Sequence, residues 1–462
     1  MASRPSLFAL FLALAFVALP AHAETPRDAV ELTLPQARQL ALKLAISGES
    51  EQAEAMARAL LQTNPMDDAA WFALATAWRE QGDLDRARRG AARAFRYTDD
   101  GLKRTQAAGL AARSALEDQR YMLAQYWLRR GAHVAPNHAL RQRVARDFAN
   151  VRAQTPLGVR LRFSLAPSSN LNGGAQSYLN EIDGISAVGV LSGGALALSG
   201  LDARTTVELS YRLSDTQRAQ TKAHSLIYLR SVRLSDEARS IAPAMTNKDL
   251  SLQVFEAGLS RTWRLGAGSA SLHLRGDLGK VQSAGEPYFS YHRLTVKGTG
   301  RLTEAVTHQV RLSRELRNPA DGSRHDVLHS VEGALTWSLP RNDALEVSLR
   351  RGFIDDGLTS RDGFSDSLAL RYQRGQPVAG VNIGIDLAAG RSEYPDYAVG
   401  VILVPGGRQD KTLSATLHMD FTSLGYMGFA PRLSLRAYET KSNVSRFETD
   451  GLSLTLGFRS AF

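Results

Sequence analysis

From residue 157 to its last residue the chain alternates apolar and polar side chains in stretch after stretch. A segment written this way builds a sheet with one apolar and one wet face. Leu345-Glu346-Val347-Ser348-Leu349-Arg350 interleaves strictly. Between Thr412 and Phe421 one face carries Leu413, Ala415, Leu417, Met419 and Phe421, and the other carries Thr412, Ser414, Thr416, His418 and Asp420. Val381, Ile383, Ile385 and Leu387 form another stripe, as do Val207, Leu209, Tyr211 and Leu213. Three features separate this pattern from a soluble sandwich. The runs commonly reach 10–13 residues, where soluble strands run about 5–6. The wet faces are rich in Arg, Asp, Glu and Ser, with Arg275, Arg311, Arg350 and Arg436 among them, as a hydrated lumen requires. Tight turns at 266–268, 340–343 and 376–378 alternate with long polar stretches at 318–327, 354–364 and 392–409, as short and long connections do in transmembrane barrels.

The 306 residues of 157–462, at about 22 per strand and connection, make about 14 strands. Candidate starts near 158, 194, 205, 224, 250, 269, 289, 306, 328, 344, 365, 380, 410, 430 and 450 number 15. An odd count puts the two ends of the barrel on opposite faces of the membrane. Turn and loop lengths alternate correctly from the end back to residue 234 and then lose parity, so the surplus lies in 157–233 and the expectation is 14. The first connection, 166–193, is where a plug or an irregular strand would sit. Leu452, Leu454, Leu456, Phe458 and Phe462 alternate to the final position. With Gly457 this resembles the terminal strand that the barrel-assembly machinery reads in outer-membrane proteins, although Ser460 stands where an aromatic or apolar residue is usual.

The N-terminus agrees with that address. Arg4, the apolar run Leu7–Leu19 and Ala21-His22-Ala23 have the layout of a cleaved secretory signal peptide. We therefore expect residues 1–23 to be removed, 24–155 to form one domain and 156–462 a second, in a Gram-negative-type outer membrane. No later run approaches 18 apolar residues, so no transmembrane helix is expected.

Residues 34–153 are rich in Ala, Leu, Arg and Glu with helical periodicity. Gly48, Ala53 and Pro65 recur 34 residues later as Gly82, Ala87 and Asp99, the period of tetratricopeptide repeats. Pro136 follows Pro65 by 71 residues, which gives a third unit with a small insertion. Trp71, Leu74, Ala75, Trp78, Gly82, Ala87, Ala91 and Ala94 hold the repeat-packing positions of the second unit. Pro65 and Pro136 stop the second helices, and 139–153 closes the stack. The fold class expected is thus an all-α, tetratricopeptide-like repeat domain, periplasmic in location, followed by an all-β transmembrane barrel of about 14 antiparallel strands.

Charge and motifs narrow the function. Residues 24–153 carry 20 Lys and Arg against 16 Asp and Glu, and 154–462 carry 35 against 30. The excess, +4 and +5, is spread out, unlike a nucleic-acid footprint, and suits anionic lipid head groups. The sequence has no cysteine, so disulfides, thiolate chemistry and Cys-ligated metals are excluded. It has no G-x-S-x-G, P-loop or H-E-x-x-H motif. His325, Asp326 and His329, the densest set of ligating side chains, read as a polar outer loop, and Asp355-Asp356 before Gly357 reads as a turn. Neither enzyme activity, a cofactor nor a metal is expected.

A repeat module ahead of a barrel of about 14 strands resembles the surface lipoprotein assembly modifier family over 24–462. Ala166-Pro167-Ser168-Ser169-Asn170-Leu171-Asn172 resembles that family's P-x-S-N-x-N segment, with Pro167, Asn170 and Asn172 at its marked positions. Lys441-Ser442-Asn443-Val444 and the final strand resemble its closing hairpin. The resemblance implies delivery of lipoproteins or secreted proteins to the cell surface. The concave face of the repeats would hold a client or periplasmic chaperone, and the lumen or an opened lateral seam would provide the route. A passive porin or exopolysaccharide-export channel with a repeat domain is the other reading of the same architecture.

Overall fold

Left-handed turns at near-regular spacing cut the N-terminal segment into helix pairs. The helices are α1 Leu34–Ile46, α2 Ser50–Thr63, α3 Asp68–Glu80, α4 Leu84–Tyr97, α5 Gly101–Glu117, α6 Tyr121–Val134 and α7 His138–Gln154. Gly48, Gly82 and Gln119 follow the first helix of each pair with φ of 89°, 82° and 57°. The next amide in each case, Glu49, Asp83 or Arg120, donates back to Leu44, Trp78 or Ala115, the six-to-one bond of a Schellman cap. The third unit therefore makes the same turn with a glutamine in the left-handed region, and the missing glycine hid its phase. This computed structural model describes residues 31–460 except 184, 267–268, 356–361 and 427–428. The expected signal peptide and Phe462 lie outside the described residues.

Alanines fill the helical core, so the helices approach closely. Ala75, Ala87, Ala91 and Ala94 are buried with Leu74 and Trp78. A Cβ on Gly90 would come within 3.1 Å of both Ala75 and the Trp78 ring, a tight fit that a larger residue enters only if its neighbours give way. Buried Asp67 caps α3, accepting from the Ala69 and Ala70 amides at 3.1 Å each, and takes a 2.8 Å bond from Arg38 of α1. Replacing Asp67 by alanine should cost the helical module about 2 kcal/mol, the loss of a strong cap. Urea unfolding followed by the helical circular-dichroism signal would show it, and Asp67→Asn should recover the cap but not the Arg38 pair.

The second domain is a closed antiparallel barrel of 14 strands, each hydrogen-bonded to the next. Its first seven are β1 Leu157–Ser168, β2 Gly200–Asp215, β3 Ala219–Leu234, β4 Leu252–Leu265, β5 Ala270–Ser283, β6 Glu286–Arg301 and β7 Val306–Pro319. The other seven are β8 Asp326–Ser338, β9 Ala344–Asp355, β10 Gly363–Gln373, β11 Val381–Tyr394, β12 Arg408–Phe421, β13 Phe429–Ser442 and β14 Thr449–Ser460. They span 11 to 16 residues, longer than the alternation alone marks. The interior is wet and the exterior apolar. Leu349 on the outer face is 63% exposed, whereas Glu256 in the wall of the lumen is 6% exposed. A belt of exposed Leu, Val and Phe around a closed sheet is built for lipid, and we describe the chain as an outer-membrane barrel. Among the described residues no helix is long and apolar enough to cross a membrane.

The surplus candidate near residue 194 is a 3-10 turn, Gly193–Ala195. It belongs to a folded loop over 169–199 that carries its own small hairpin, Leu179–Ile182 with Ile185–Val190. Loop lengths depart most sharply from the alternation at the β5–β6 connection. Ala284 and Gly285, with φ of 56° and 77°, join β5 to β6 in a two-residue turn on the rim that otherwise carries the long loops. Two successive left-handed residues match the twist of a hairpin, so this loop can be minimal.

Candidate functional site

The helical domain packs on one rim of the barrel, here the near rim. Helix α7 ends at Gln154 and β1 begins at Leu157. Arg212 at the near end of β2 donates to the Ala153 and Gln154 carbonyls at 2.8 and 2.7 Å, satisfying the open end of α7. On the other side, Arg129 of α6 lies between the Phe148 ring of α7 and the Phe429 ring of β13, 5.1 Å from each. Burial lowers the Arg129 pKa, with neighbouring Arg152 adding to the effect, and the two π faces stabilise its charge. His133 packs edge-on against Tyr426 in the β12–β13 turn at 4.8 Å. The helices thus hold β2 and β1 on one side and β13 on the other.

Between those supports lies the closure of the barrel, β1 on β14. Among the described residues it consists of Phe163–Phe458, Ser164–Gly457 and Leu165–Leu456. By contrast β1 and β2 pair through all twelve positions from Leu157–Tyr211 to Ser168–Gly200. The closure is therefore the shortest joint in the described sheet. A Cβ on Gly457 would lie 2.9 Å from the Phe163 carbonyl, so the closure also demands a small residue there. Phe458 is exposed on the lipid face.

At the far rim the 169–199 loop reaches across this joint. Gln176 donates to the Asp450 carbonyl of β14 at 2.8 Å, and the Asp183 amide donates to the Asn443 carbonyl at 2.9 Å. The Ser445 hydroxyl accepts from the Glu181 amide and donates to the Leu179 carbonyl. Ile182 and Val444 form a β-bridge and are buried with Val404. Asn170 and Asn172 shape the loop that does this. Asn170 exchanges two bonds with Gly174, and Asn172 donates to Gly194 and Leu196 while accepting from the Leu198 amide. Pro167 pairs with Leu201 next to the last residue of β1 and lines the lumen with Asn170. The two stretches singled out in the sequence, 166–172 and 441–444, thus belong to one clasp across the joint. The alternation pattern held no sign of Gln176, Ser445, Arg129 or Phe429, because their partners are remote in sequence.

The lumen holds two cavities of about 850 and 670 Å³. Arg275, Arg311 and Arg350 line the first and Arg436 the second. Its walls are charge ladders. Glu256 accepts from Arg275 at 2.7 Å, from the Tyr291 hydroxyl at 2.6 Å and from Arg293. Arg275 also meets Asp277, and Arg293 meets Glu315. Across the barrel Arg371 bridges Glu346 and Asp386, and Arg432 pairs with Asp420. Such a surface is hydrophilic and charged on both sides of the lumen. His325 and Asp326 sit at the far-rim start of β8, with His329 three residues along it. Asp355 ends β9, and Asp356 lies outside the described residues. Among the described residues no three ligating side chains converge on a metal position.

No protein-family profile matches the chain, and no curated protein matches it. Among solved structures, the type III secretion translocator chaperone SycD of Yersinia enterocolitica is similar over 27% of this chain and 88% of its own, with 20% identity and a TM-score of 0.24. An outer-membrane channel from Pseudomonas putida F1 is similar over 66% of this chain and 95% of its own, with 11% identity and a TM-score of 0.32. A loop-deletion mutant of OmpT, an outer-membrane protein of Vibrio cholerae, is similar over 66% and 99%, with 8% identity and a TM-score of 0.33. At these identities the likeness concerns the fold alone.

Proposed function

We propose that this protein is an outer-membrane translocator that delivers a lipoprotein or secreted protein to the cell surface. The helical domain faces the periplasm, receives the client or its chaperone, and passes it to the barrel. The route uses the β1–β14 joint, which opens sideways when the far-rim clasp releases. One observation carries this reading: the repeat module grips both flanks of the shortest joint, through Arg212 at β2 and Arg129 at β13. A force applied to the helices by a client is then transmitted to the joint with the fewest paired residues in the described sheet. No nucleotide-binding motif is present, so direction comes from folding or capture of the client outside. No catalysis is assigned.

The lumen supports a second reading. The arginines lining both cavities suit a passive channel for anionic solutes, including exported polysaccharide. Deleting the gene and probing intact cells for surface-exposed client separates the two. Loss of display with intact membrane permeability supports translocation. Unchanged display, with conductance by the purified protein in planar bilayers, would overturn it in favour of the channel.

A further inference from the structure

A cavity in the helical domain lies between the second helices of neighbouring pairs, α2 and α4, and has a volume of about 510 Å³. Its floor is Trp71, Leu74 and Trp78 of α3, and its rim carries Arg58 of α2 with Arg86, Arg89 and Arg93 of α4. The Trp71 indole is fixed by donation to the Pro65 carbonyl at 2.8 Å, and the Arg93 guanidinium lies 4.4 Å over its ring.

The charge of this slot is one-sided. Helix α4 contains five arginines and one aspartate, Asp85. No carboxylate lines the cavity. Arg58, Arg86 and Arg89 find Glu54, Asp83 and Asp85 outside it, and Asp85 is shared with Arg88. Arg93 has no carboxylate partner among the described residues. A solvated basic face would lack the aromatic floor, and a plain packing defect would lack the four cations. Together they match a ligand with an apolar group to cover the indoles and carboxylates to take guanidinium forks. The volume lies within the ~300–1,000 Å³ of ordinary ligand pockets, which suits a short segment and excludes a folded domain.

We propose that the α2–α4 slot binds an acidic peptide segment bearing a Leu or aromatic anchor. The peptide's origin in the exported client rests on the translocator reading, while its chemistry rests on the slot alone. The test uses the full chain in detergent and a fluorescent synthetic peptide of Asp and Glu around a Leu-Phe pair. Binding that weakens at least tenfold in Arg89→Glu/Arg93→Glu, and weakens steeply with salt, is the expected result. The variant must keep the wild-type helical signal, and Arg93→Lys should bind more weakly than wild type but better than the reversal. Equal binding of a peptide with Lys in place of the acids, or no binding by wild type, overturns the proposal. So does preferential binding of anionic phospholipid vesicles with the same sensitivity to the reversal. Peptide binding by a protein whose deletion leaves surface display unchanged sinks the translocator reading and leaves the slot. Lost display with no peptide binding does the reverse.

Discussion

Replacing Glu256 by alanine should destabilise the barrel by about 3 kcal/mol or more, the range for breaking a buried ion pair from one side. Three strands meet at this carboxylate, which accepts from Arg275 on β5 and from Tyr291 and Arg293 on β6. Removing it leaves two guanidinium groups facing one another with Asp277 and Glu315 as the remaining partners, and leaves the Tyr291 hydroxyl without its acceptor. Glu256→Gln keeps the size and an acceptor for Tyr291, so it should lose about half as much. Equilibrium unfolding of the purified protein in lipid vesicles measures both. A loss under about 1 kcal/mol for the alanine variant would mean that the ladder behaves as exposed surface pairs do.

Locking the far-rim clasp should abolish delivery while leaving the fold intact. Ile182 and Val444 bridge in register and are buried, and the chain has no cysteine of its own. A disulfide in the variant Ile182→Cys/Val444→Cys is therefore unambiguous, and paired strands bring such residues within bonding range. Under oxidising conditions surface display of the client should fall at least tenfold, with recovery on adding a reductant. Full display by the oxidised variant would mean that the client passes without release of the loop. That outcome would direct attention to the lumen.

The sequence revealed the parts of this molecule that repeat and concealed those made by a single encounter. Alternation marked Leu349, Leu413 and Leu452 as lipid-facing and Arg275 and Arg436 as luminal, because each strand states its two faces locally. The 34-residue spacing revealed the helix pairs through Gly48 and Gly82, and it blurred where Gln119 makes the same turn. The folded loop over 169–199 was less legible. Its hairpin is too short for a convincing period, and Asn170 and Asn172 act on Gly174, Gly194 and Leu196, in contacts that composition does not announce. The α2–α4 slot was hidden for a different reason. Trp71 and Trp78 are repeat-packing residues by position, and only the packed helices show that the same rings floor a cationic cavity.

The clasp also bears on how the barrel closes at all. Joining Phe163 to Phe458 ties together chain positions nearly 300 residues apart, an ordering that costs about 5 kcal/mol in loop entropy. The three residue pairs described at the closure hardly offset that. Ile182 and Val444 enclose almost the same stretch of chain, so once the loop has docked, the two strand ends are already neighbours and the cost has been met. The far-rim loop then serves as the splint that lets a short joint hold, and releasing it exposes that joint to the full entropic pull of the chain it closes.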